Sequence, residues 1–127
     1  MFRYKVKLKQ ATDPKMGLGL FADEFISGGS VVWEFIEGVD LKIHQDEIEK
    51  LNDVQKQYFN TYAWMEGDYY FSSCDLTNFI NHSENPNVSC VEPSYCVATK
   101  DINIGDEIFE NYEEFDDCFN EYKNDLF

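Results

Sequence analysis

The first residues of the chain alternate between apolar and basic side chains. From Phe2 to Lys9, apolar residues occupy the even positions and Arg or Lys the odd ones. A period of two is typical of a strand with one buried face. Further apolar segments follow at residues 15–22 and 31–33, with Gly28-Gly29 between them. We therefore predict two strands joined through a glycine turn.

The periodicity changes between residues 44 and 62. Side chains that can face a core recur there at three- and four-residue spacing among Glu, Lys and Gln, at Ile48, Leu51, Gln55, Tyr58, Phe59 and Tyr62. This spacing predicts one amphipathic helix. Residues 63–71 are aromatic and are interrupted by Glu66-Gly67-Asp68, which predicts a hairpin.

The second half of the chain continues with short elements. Residues 88–91 and 95–98 are predicted strands, and residues 101–108 a turn leading into a strand. Residues 113–126 are predicted to form a flanking helix with one apolar face, made of Phe115, Phe119, Tyr122 and Leu126. The pattern indicates a single domain over residues 1–127, of the β-rich α+β class with about two helices.

Composition excludes several classes of protein. The chain is 43% hydrophobic and 17% aromatic, which is too apolar for a disordered protein. Its apolar runs are much shorter than the roughly 20 residues of a membrane span, and the N-terminus lacks the apolar core of a signal peptide. We expect an intracellular protein, cytoplasmic by default, or in the host nucleus if it is a viral protein or an effector.

The net charge of −15 is concentrated in the C-terminal region, where residues 101–127 hold ten acids and one Lys. Such a charge repels the phosphates of nucleic acid and favours a cationic partner. We therefore expect neither direct nucleic-acid binding nor membrane binding. Two interpretations stay open, a solubilising surface and an acidic surface around a site for a substrate rich in Lys or Arg.

The four cysteines do not form a metal-binding motif. Cys90 and Cys96 are separated by five residues, and no second close pair completes a zinc site with them. We therefore predict free thiols in a reducing compartment, and no metal ion.

Taken singly, the motifs that carry chemistry are weak. Gly17-Leu18-Gly19 lacks the third glycine and the following helix of a dinucleotide loop, so a tight strand bend is its ordinary interpretation. No nucleophile elbow accompanies His82, which favours a structural or backbone role, and His44 is predicted to be a solvated surface residue. Tyr112, at a predicted strand end, is ordinarily a core residue with its hydroxyl at the surface.

Three sequence blocks are specific in combination. They occur in a fixed order, as Gly17-x-Gly19-Leu20-Phe21-Ala22, Asn78-Phe79-Ile80-Asn81-His82-Ser83-x-x-Pro86-Asn87 and Gly105-Asp106-Glu107-Ile108-x-x-x-Tyr112. Together they resemble the SET domain, the family of S-adenosylmethionine-dependent protein-lysine methyltransferases. The resemblance covers nearly the whole chain and is greatest to the small stand-alone versions of the domain.

The resemblance implies a fold of several small, twisted β-sheets around a C-terminal pseudoknot. Such threading of one segment under a loop is rare among folds. It also implies that cofactor and substrate bind on opposite faces and meet through a narrow channel.

The resemblance further implies where the cofactor binds. Its methionine end is expected at the backbone around Met16, Gly17, Leu18 and Gly19. Its amino group is expected at the Asn81 amide, and the adenine at the backbone of His82.

The substrate channel is implied by the same resemblance. Tyr112 is expected beside the transferring methyl group as the catalytic residue, and Phe115 or Phe119 is expected to pack on the adenine or close the channel. Tyr62, Tyr69 and Tyr70 are alternative candidates for the remaining wall.

The physical chemistry of methyl transfer suits these residue types. Transfer from a sulfonium to an amine is an in-line displacement, so positioning supplies most of the catalysis. The lysine amine, with an ordinary pKa near 10.4, must be neutral to attack, and an apolar channel beside a cation favours loss of its proton. Tyr112 is therefore expected to orient the reactants rather than to act as a base.

The chain departs from the family pattern at three positions, because Asn78, Glu84 and Asn111 stand where many members have Arg, Cys and Asp. Only Cys118 follows Tyr112, which argues against a zinc-binding post-SET cluster and leaves closure of the channel to the terminal helix.

Two further functions stay open on the sequence. A catalytically weak SET-fold module could bind a basic protein or peptide that contains lysine, or the chain could act as an acidic charge mimic. The protein is expected to be a monomer or a homodimer. Neither the target lysine nor the number of methyl groups can be read from the sequence.

Overall fold

The computed structural model describes residues 1–92 and 94–125. Within these residues the chain forms ten short strands, β1 (Val6–Gln10), β2 (Leu18–Ala22), β3 (Val31–Glu34), β4 (Leu41–His44), β5 (Trp64–Glu66), β6 (Tyr69–Ser72), β7 (Asn81–His82), β8 (Val88–Glu92), β9 (Tyr95–Ala98) and β10 (Phe109–Glu110). Three α-helices accompany them, α1 (Gln45–Glu49), α2 (Asp53–Tyr62) and α3 (Phe119–Tyr122). Four 3-10 turns lie at Pro14–Met16, Leu76–Phe79, Tyr112–Glu114 and Lys123–Asp125.

The strands form three small sheets. β1 pairs with β2, the order β3-β9-β8-β10-β7 makes a five-stranded sheet, and the order β4-β6-β5 makes a three-stranded one. The predicted β-rich α+β class is therefore confirmed, with three short α-helices where about two were expected. None of the described helices is long and apolar enough to cross a membrane.

The expected pairing across Gly28-Gly29 is wrong. β2 pairs antiparallel with β1, and β3 pairs antiparallel with β9. The connecting segment pairs elsewhere, because Ile26 bridges Ile102 and the Gly29 amide donates to the Ala98 carbonyl over 2.7 Å. The two strands therefore belong to different sheets.

The helix predicted over residues 44–62 is two helices. α1 ends before Lys50, and Asn52 then starts α2 with a capping box. The Asn52 side chain accepts from the Gln55 amide, while the Gln55 side chain accepts from the Asn52 amide, both at 3.0 Å. This reciprocal cap satisfies amides at a helix start and so favours a break.

The terminal helix predicted over residues 113–126 is also interrupted. A 3-10 turn over Tyr112–Glu114 is followed by Asp116, whose carboxylate accepts from the amides of Met65 and Cys118 at 3.2 and 3.1 Å. These bonds turn the chain before α3 begins. Leu126 lies outside the described residues.

The core lies between the N-terminal sheet and the five-stranded sheet. Its fully buried side chains are short aliphatic residues from many elements, namely Leu20, Ile26, Val32, Val88, Ile102 and Ile108. Since they come from both ends of the chain, burying them requires the C-terminal segment to return to the N-terminal strands.

This return inserts β10 into the sheet. β10 lies between β7 and β8 and is parallel to both, although β7 and β8 follow each other in the chain. The C-terminal segment thus enters the sheet between two strands that are consecutive in the chain.

Asn87 supports the inserted segment with its side chain. Its amide nitrogen donates to the Glu107 carbonyl and its amide oxygen accepts from the Phe109 amide, both at 2.8 Å. The side chain is buried, so it replaces the backbone partner that a longer strand would supply at this point.

Replacing Asn87 by Ala should therefore destabilise the fold. Two buried backbone groups would lose their partners, at a cost of about 1–3 kcal/mol each. We expect the free energy of unfolding to fall by about 2–4 kcal/mol, measured from urea denaturation.

Asn85→Ala is the matched control, because the Asn85 side chain in the same loop is exposed. It should change stability by less than about 0.5 kcal/mol. Equal stability of the two variants would show that Asn87 does not support β10.

Candidate functional site

A cavity of about 600 Å³ opens where the five-stranded sheet, the three-stranded sheet and the C-terminal segment meet. It is lined by residues from all parts of the chain, namely Lys15, Met16, Leu18, Trp33, Asn60, Thr61, Tyr62, Ala63, Trp64, Glu66, Thr77, Asn78, Phe79, Ile80, Asn81, Cys90, Glu92, Cys96, Glu110, Tyr112, Phe115, Asp116, Tyr122 and Asp125. The volume suits a ligand of the size of a nucleoside cofactor together with part of a second molecule.

Tyr112 lies at the point where the inserted strand leaves the sheet. Its hydroxyl donates to the Ile80 carbonyl over 2.5 Å, which directs the ring into the cavity. Burial, and then the nearby carboxyls of Glu110 and Asp116, raise the pKa of Tyr112 far above its usual value. The phenol therefore stays protonated, which makes it a fixed dipole rather than a base.

The His82 side chain holds the backbone of Tyr112 in place. Its Nδ1 accepts a hydrogen bond from the Tyr112 amide over 3.1 Å, and the two rings lie 5.2 Å apart. Burial lowers the pKa of His82, so the imidazole is neutral and its Nδ1 can accept. The side chain is buried and does not line the cavity, in agreement with the structural interpretation of the sequence.

Asn81 connects the N-terminal glycines to the inserted segment. Its amide nitrogen donates to the Leu18 carbonyl over 2.9 Å and to Glu107 Oε1 over 3.3 Å. Gly19 leaves room for this carboxylate, because a Cβ at this position would lie 2.3 Å from the same Glu107 oxygen and would displace it. Glu107 is thus a positioning residue that the sequence analysis did not identify.

The segment around Gly17 brings backbone to the cavity rim. Gly17 has a φ of 72°, a conformation that favours glycine. It follows the 3-10 turn Pro14–Met16, whose N-cap is Asp13. Met16 and Leu18 line the cavity, whereas Gly17 and Gly19 shape the backbone between them. Their expected roles in cofactor binding remain predictions.

Aromatic rings form a further part of the cavity lining. Trp64 lies in the centre, with its ring 5.8 Å from those of Trp33 and Phe115. Tyr62 and Phe79 make a second contact at 5.8 Å. Of the expected channel residues, Tyr62 and Phe115 therefore line the cavity, and the two tryptophans and Phe79 are additions that the sequence analysis did not single out.

Three expected channel residues lie elsewhere. Tyr69 is partly exposed and packs on His44 at 5.2 Å, and Tyr70 contacts Phe59 at 6.4 Å. Phe119 is buried against His82 at 5.0 Å. None of the three is among the described residues that line the cavity. The β5–β6 hairpin contributes to the lining through Trp64 and Glu66 of β5.

The C-terminal segment covers one side of the cavity and is tied to the β5–β6 hairpin. The Asp117 amide donates to the Met65 carbonyl over 2.9 Å, and the Gly67 amide donates to the Asp117 carboxylate over 2.7 Å. The Tyr122 hydroxyl donates to Asp116 over 2.5 Å. Hydrogen bonds thus hold in place the segment that brings Phe115 and Tyr122 to the cavity.

Glu110 is a second residue of the cavity that the sequence analysis missed. It is 8% exposed, lines the cavity two residues before Tyr112, and belongs to an acidic lining that contains one Lys, Lys15, among the described residues. Burial, and then the charge of Glu114, raise the pKa of Glu110 to about 8. Its signal in the sequence is a charged residue at a buried strand position, which only the register of β10 identifies.

The prediction of free thiols is wrong for one pair. Cys90 and Cys96 form a disulfide, whereas Cys74 and Cys118 are free. The two bonded residues lie on the paired strands β8 and β9, where an irregular register brings their Cα atoms to 4.3 Å. Since their sulfurs are bonded to each other, these residues do not offer thiolates to a metal ion beside Glu110.

The arrangement combines three properties in one cavity. Asn81 and the backbone near Leu18 supply polar groups, Trp64 and its neighbours supply aromatic faces, and the acidic lining favours positive charge. A ligand with a cationic centre next to apolar groups fits such an environment.

Sequence comparison gives one family. A family model described as the SET domain matches residues 17–113. A comparison with curated proteins finds no match.

Solved structures resemble this chain over most of its length. In a humanized mutant of the Chaetomium thermophilum Polycomb Repressive Complex 2 bound to the inhibitor GSK126, the matched chain is 24% identical, with a TM-score of 0.65, and the match covers 92% of this chain and 16% of that one. In ctPRC2 in an autoinhibited conformation bound to S-adenosylmethionine, the matched chain is 23% identical, with a TM-score of 0.67. The match covers 96% of this chain and 17% of that one.

An active polycomb repressive complex 2 in the basal state gives a similar result. Its chain is 25% identical with a TM-score of 0.63, and the match covers 86% of this chain and 15% of that one. The protein thus spans about a sixth of the length of these chains. At this level of identity the likeness shows a common fold.

The buried carboxyl of Glu110 should make stability depend on pH. An ordinary glutamate has a pKa of 4.5, so the unfolded chain ionises before the folded protein, whose Glu110 titrates at about 8. Stability should therefore fall between these two pH values. Glu110→Gln should match the parent near pH 4.5 and exceed its stability by on the order of 2–4 kcal/mol at pH 8.5.

Urea denaturation at several pH values under non-reducing conditions measures this difference. Glu113→Gln is the control, because Glu113 lies in the next turn and is exposed, and it should leave the pH dependence unchanged. Parallel stability curves for the parent and Glu110→Gln would contradict the prediction.

Proposed function

The chain belongs to the SET domain family, and from this premise we propose that it transfers methyl groups from S-adenosylmethionine to a lysine side chain of a basic protein. The observation that carries the proposal is the convergence of the three sequence blocks. One cavity is lined by Met16 and Leu18 at the first block, by Asn81 of the second block and by Tyr112 of the third. These residues lie far apart in the chain.

The residues at one end of the cavity fit the cofactor. Amide and carbonyl groups near Leu18 and Asn81 can bind the charged amino-acid part of S-adenosylmethionine, and Phe115 and Tyr122 offer aromatic faces for its adenine. When bound, the cofactor supplies an activated methyl group on a sulfonium. A solved structure with this fold is bound to S-adenosylmethionine, which supports the choice of ligand.

The residues at the other end fit a lysine side chain. Tyr62, Trp64 and Phe79 can enclose its apolar stem, since aromatic faces accommodate both methylene groups and a cationic end. The aromatic surroundings of the amine would favour its neutral form. Tyr112 directs its hydroxyl to the Ile80 carbonyl over 2.5 Å, and together these oxygens can orient a polarised methyl group.

The surrounding charge supports a basic substrate. A smaller hollow adjoins the cavity and shares Glu66, Cys90, Phe115 and Asp116 with it. Its remaining lining is mostly acidic, with Glu113, Glu114 and Asp117. Basic residues beside the target lysine would be attracted to this side of the molecule.

The first test of the proposal is binding of the cofactor. We expect calorimetry to detect binding of S-adenosylmethionine and of its demethylated product. Asn81→Ala should weaken binding by about 10–100-fold, because the charged ligand loses a hydrogen-bonding partner on the protein. Denaturation curves would correct for any loss of folded protein.

Asn85→Ala serves as the control and should bind the cofactor like the parent protein. Absence of binding by the parent would leave a binding module or a charge mimic as the function. A charge mimic would show salt-sensitive binding to basic proteins without cofactor affinity.

The second test is methyl transfer itself. With radiolabelled cofactor and core histones or a cell lysate, the parent should label a basic protein on lysine, as identified by mass spectrometry. Tyr112→Phe removes the hydroxyl that orients the methyl group, so labelling should fall at least tenfold or the number of methyl groups should change.

Tyr95→Phe is the matched control, because Tyr95 is partly exposed on β9 and lies outside the cavity. Unchanged products from Tyr112→Phe would remove Tyr112 from the reaction.

A further inference from the structure

The proposed function leaves one buried group in the cavity without a task. Glu110 is 8% exposed, and its carboxyl lines the cavity. Its Oε1 lies 3.6 Å from Cys90 Sγ, but a sulfur in a disulfide carries no proton to donate. Burying a carboxyl without a strong partner is costly, which makes its presence here a functional question.

The groups that face Glu110 do not neutralise it. Glu114, from the turn after β10, adds negative charge, and the Cys90–Cys96 disulfide of β8 and β9 is uncharged. On the same segment, the neighbour of Glu110 is the Tyr112 hydroxyl. On β7, its register partner is His82, whose imidazole is neutral. Among residues 1–92 and 94–125, no Lys or Arg forms an ion pair with Glu110.

Glu110 and Tyr112 point to the same side. Asn111 between them is extended, with φ −97° and ψ 106°, and side chains two residues apart in an extended segment share a face. Both line the cavity, and after burial the charge of Glu110 contributes to the raised pKa of Tyr112. The carboxyl therefore faces the same cavity as the hydroxyl that is expected to orient the methyl group.

We propose that Glu110 binds the ammonium group of the substrate lysine in the cavity and accepts its proton. The inference rests on the proposed function and adds a general base to it. Glu110 would thus be a catalytic residue in addition to Tyr112.

The step balances in protons and electrons. One N–H bond of the ammonium breaks and one O–H bond forms on the Glu110 carboxylate, so the amine becomes neutral. The freed lone pair on nitrogen forms the new N–C bond, while the C–S bond of the methyl donor breaks and its electron pair stays on sulfur. The product is a methylated ammonium, and Glu110 then releases its proton to water.

The acidity of Glu110 is suited to this exchange. Its pKa of about 8 is much closer to the value of about 10.4 for lysine than that of an ordinary glutamate. A base works best when its pKa lies near that of its partner and near the working pH. An ammonium beside the carboxylate would in turn favour the ionised form.

The other carboxyls of the cavity are either exposed, as those of Glu92 and Asp125 are, or already engaged in hydrogen bonds. The Tyr112 hydroxyl donates to Ile80, and the Asp116 carboxylate accepts from Met65, Cys118 and Tyr122. Glu66 accepts from the Trp64 indole over 3.1 Å. Glu110 therefore stands out as the buried carboxyl whose oxygen atoms have no N–H or O–H donor among the described residues.

The pH dependence of methyl transfer to core histones tests the inference. For the parent protein, kcat/KM should rise with pH and level off above about pH 8. Glu110→Gln, which keeps the shape of the side chain, should be about 100-fold slower at pH 8. Its rate should continue to rise tenfold per pH unit towards the pKa of lysine, because only the neutral amine can then react.

Glu37→Gln, at an exposed position outside the cavity and the hollow beside it, should retain the parent profile, and calorimetry should show that Glu110→Gln still binds the cofactor. If Glu110→Gln reacts as fast as the parent at pH 7–8, the inference is overturned while the proposed function stands. If the parent neither binds cofactor nor methylates, both are overturned.

A second measurement does not need turnover. In protein labelled with ¹³C at glutamate carboxyls, the Glu110 resonance, identified by its loss in Glu110→Gln, should titrate near pH 8. Excess basic peptide containing lysine, with the demethylated cofactor bound, should lower this pKa. A Glu110 resonance that does not respond to the peptide, with cofactor binding intact, would contradict the inference.

Discussion

The structure depends on the insertion of β10 between β7 and β8. Parallel pairing on both sides places Glu110 next to His82 and Val88. Such a strand has no hairpin partner of its own, so side chains complete its hydrogen bonds. Asn87 bonds to the segment before β10, and His82 accepts the Tyr112 amide after it. The cavity exists because these bonds hold the C-terminal segment against the middle of the chain.

The same insertion explains why polar residues are concentrated in the loop between β7 and β8. The amide side chain of Asn87 there, and the imidazole of His82 at the end of β7, replace regular backbone partners, and both are buried. Asn81 performs a related task at the other end by bonding to Leu18 and Glu107. A loop that supports both the inserted strand and the cavity is therefore under two constraints at once, which accounts for its unusual composition.

The site combines residues that stabilise the fold through hydrogen bonds with buried ionisable residues whose burial costs free energy. Glu110 carries a carboxyl into the interior, where burial raises its pKa to about 8, and Tyr112 keeps its proton for the same reason. Structural groups near them, such as Asp116, are saturated with hydrogen bonds. This contrast separates residues that hold the C-terminal segment from those left available to a ligand.

The sequence by itself determined the fold class, the hairpin at residues 63–71 and the three blocks that meet at the cavity, because these depend on local periodicity and on motifs. Tertiary structure decided the rest. The disulfide between Cys90 and Cys96 and the burial of Glu110 depend on contacts between segments. The break before Asn52 depends on a local capping box, which the apolar periodicity does not reveal. Which tyrosines face the cavity was likewise decided by tertiary structure, since Tyr62 lines it from α2 and Tyr112 from the turn after β10.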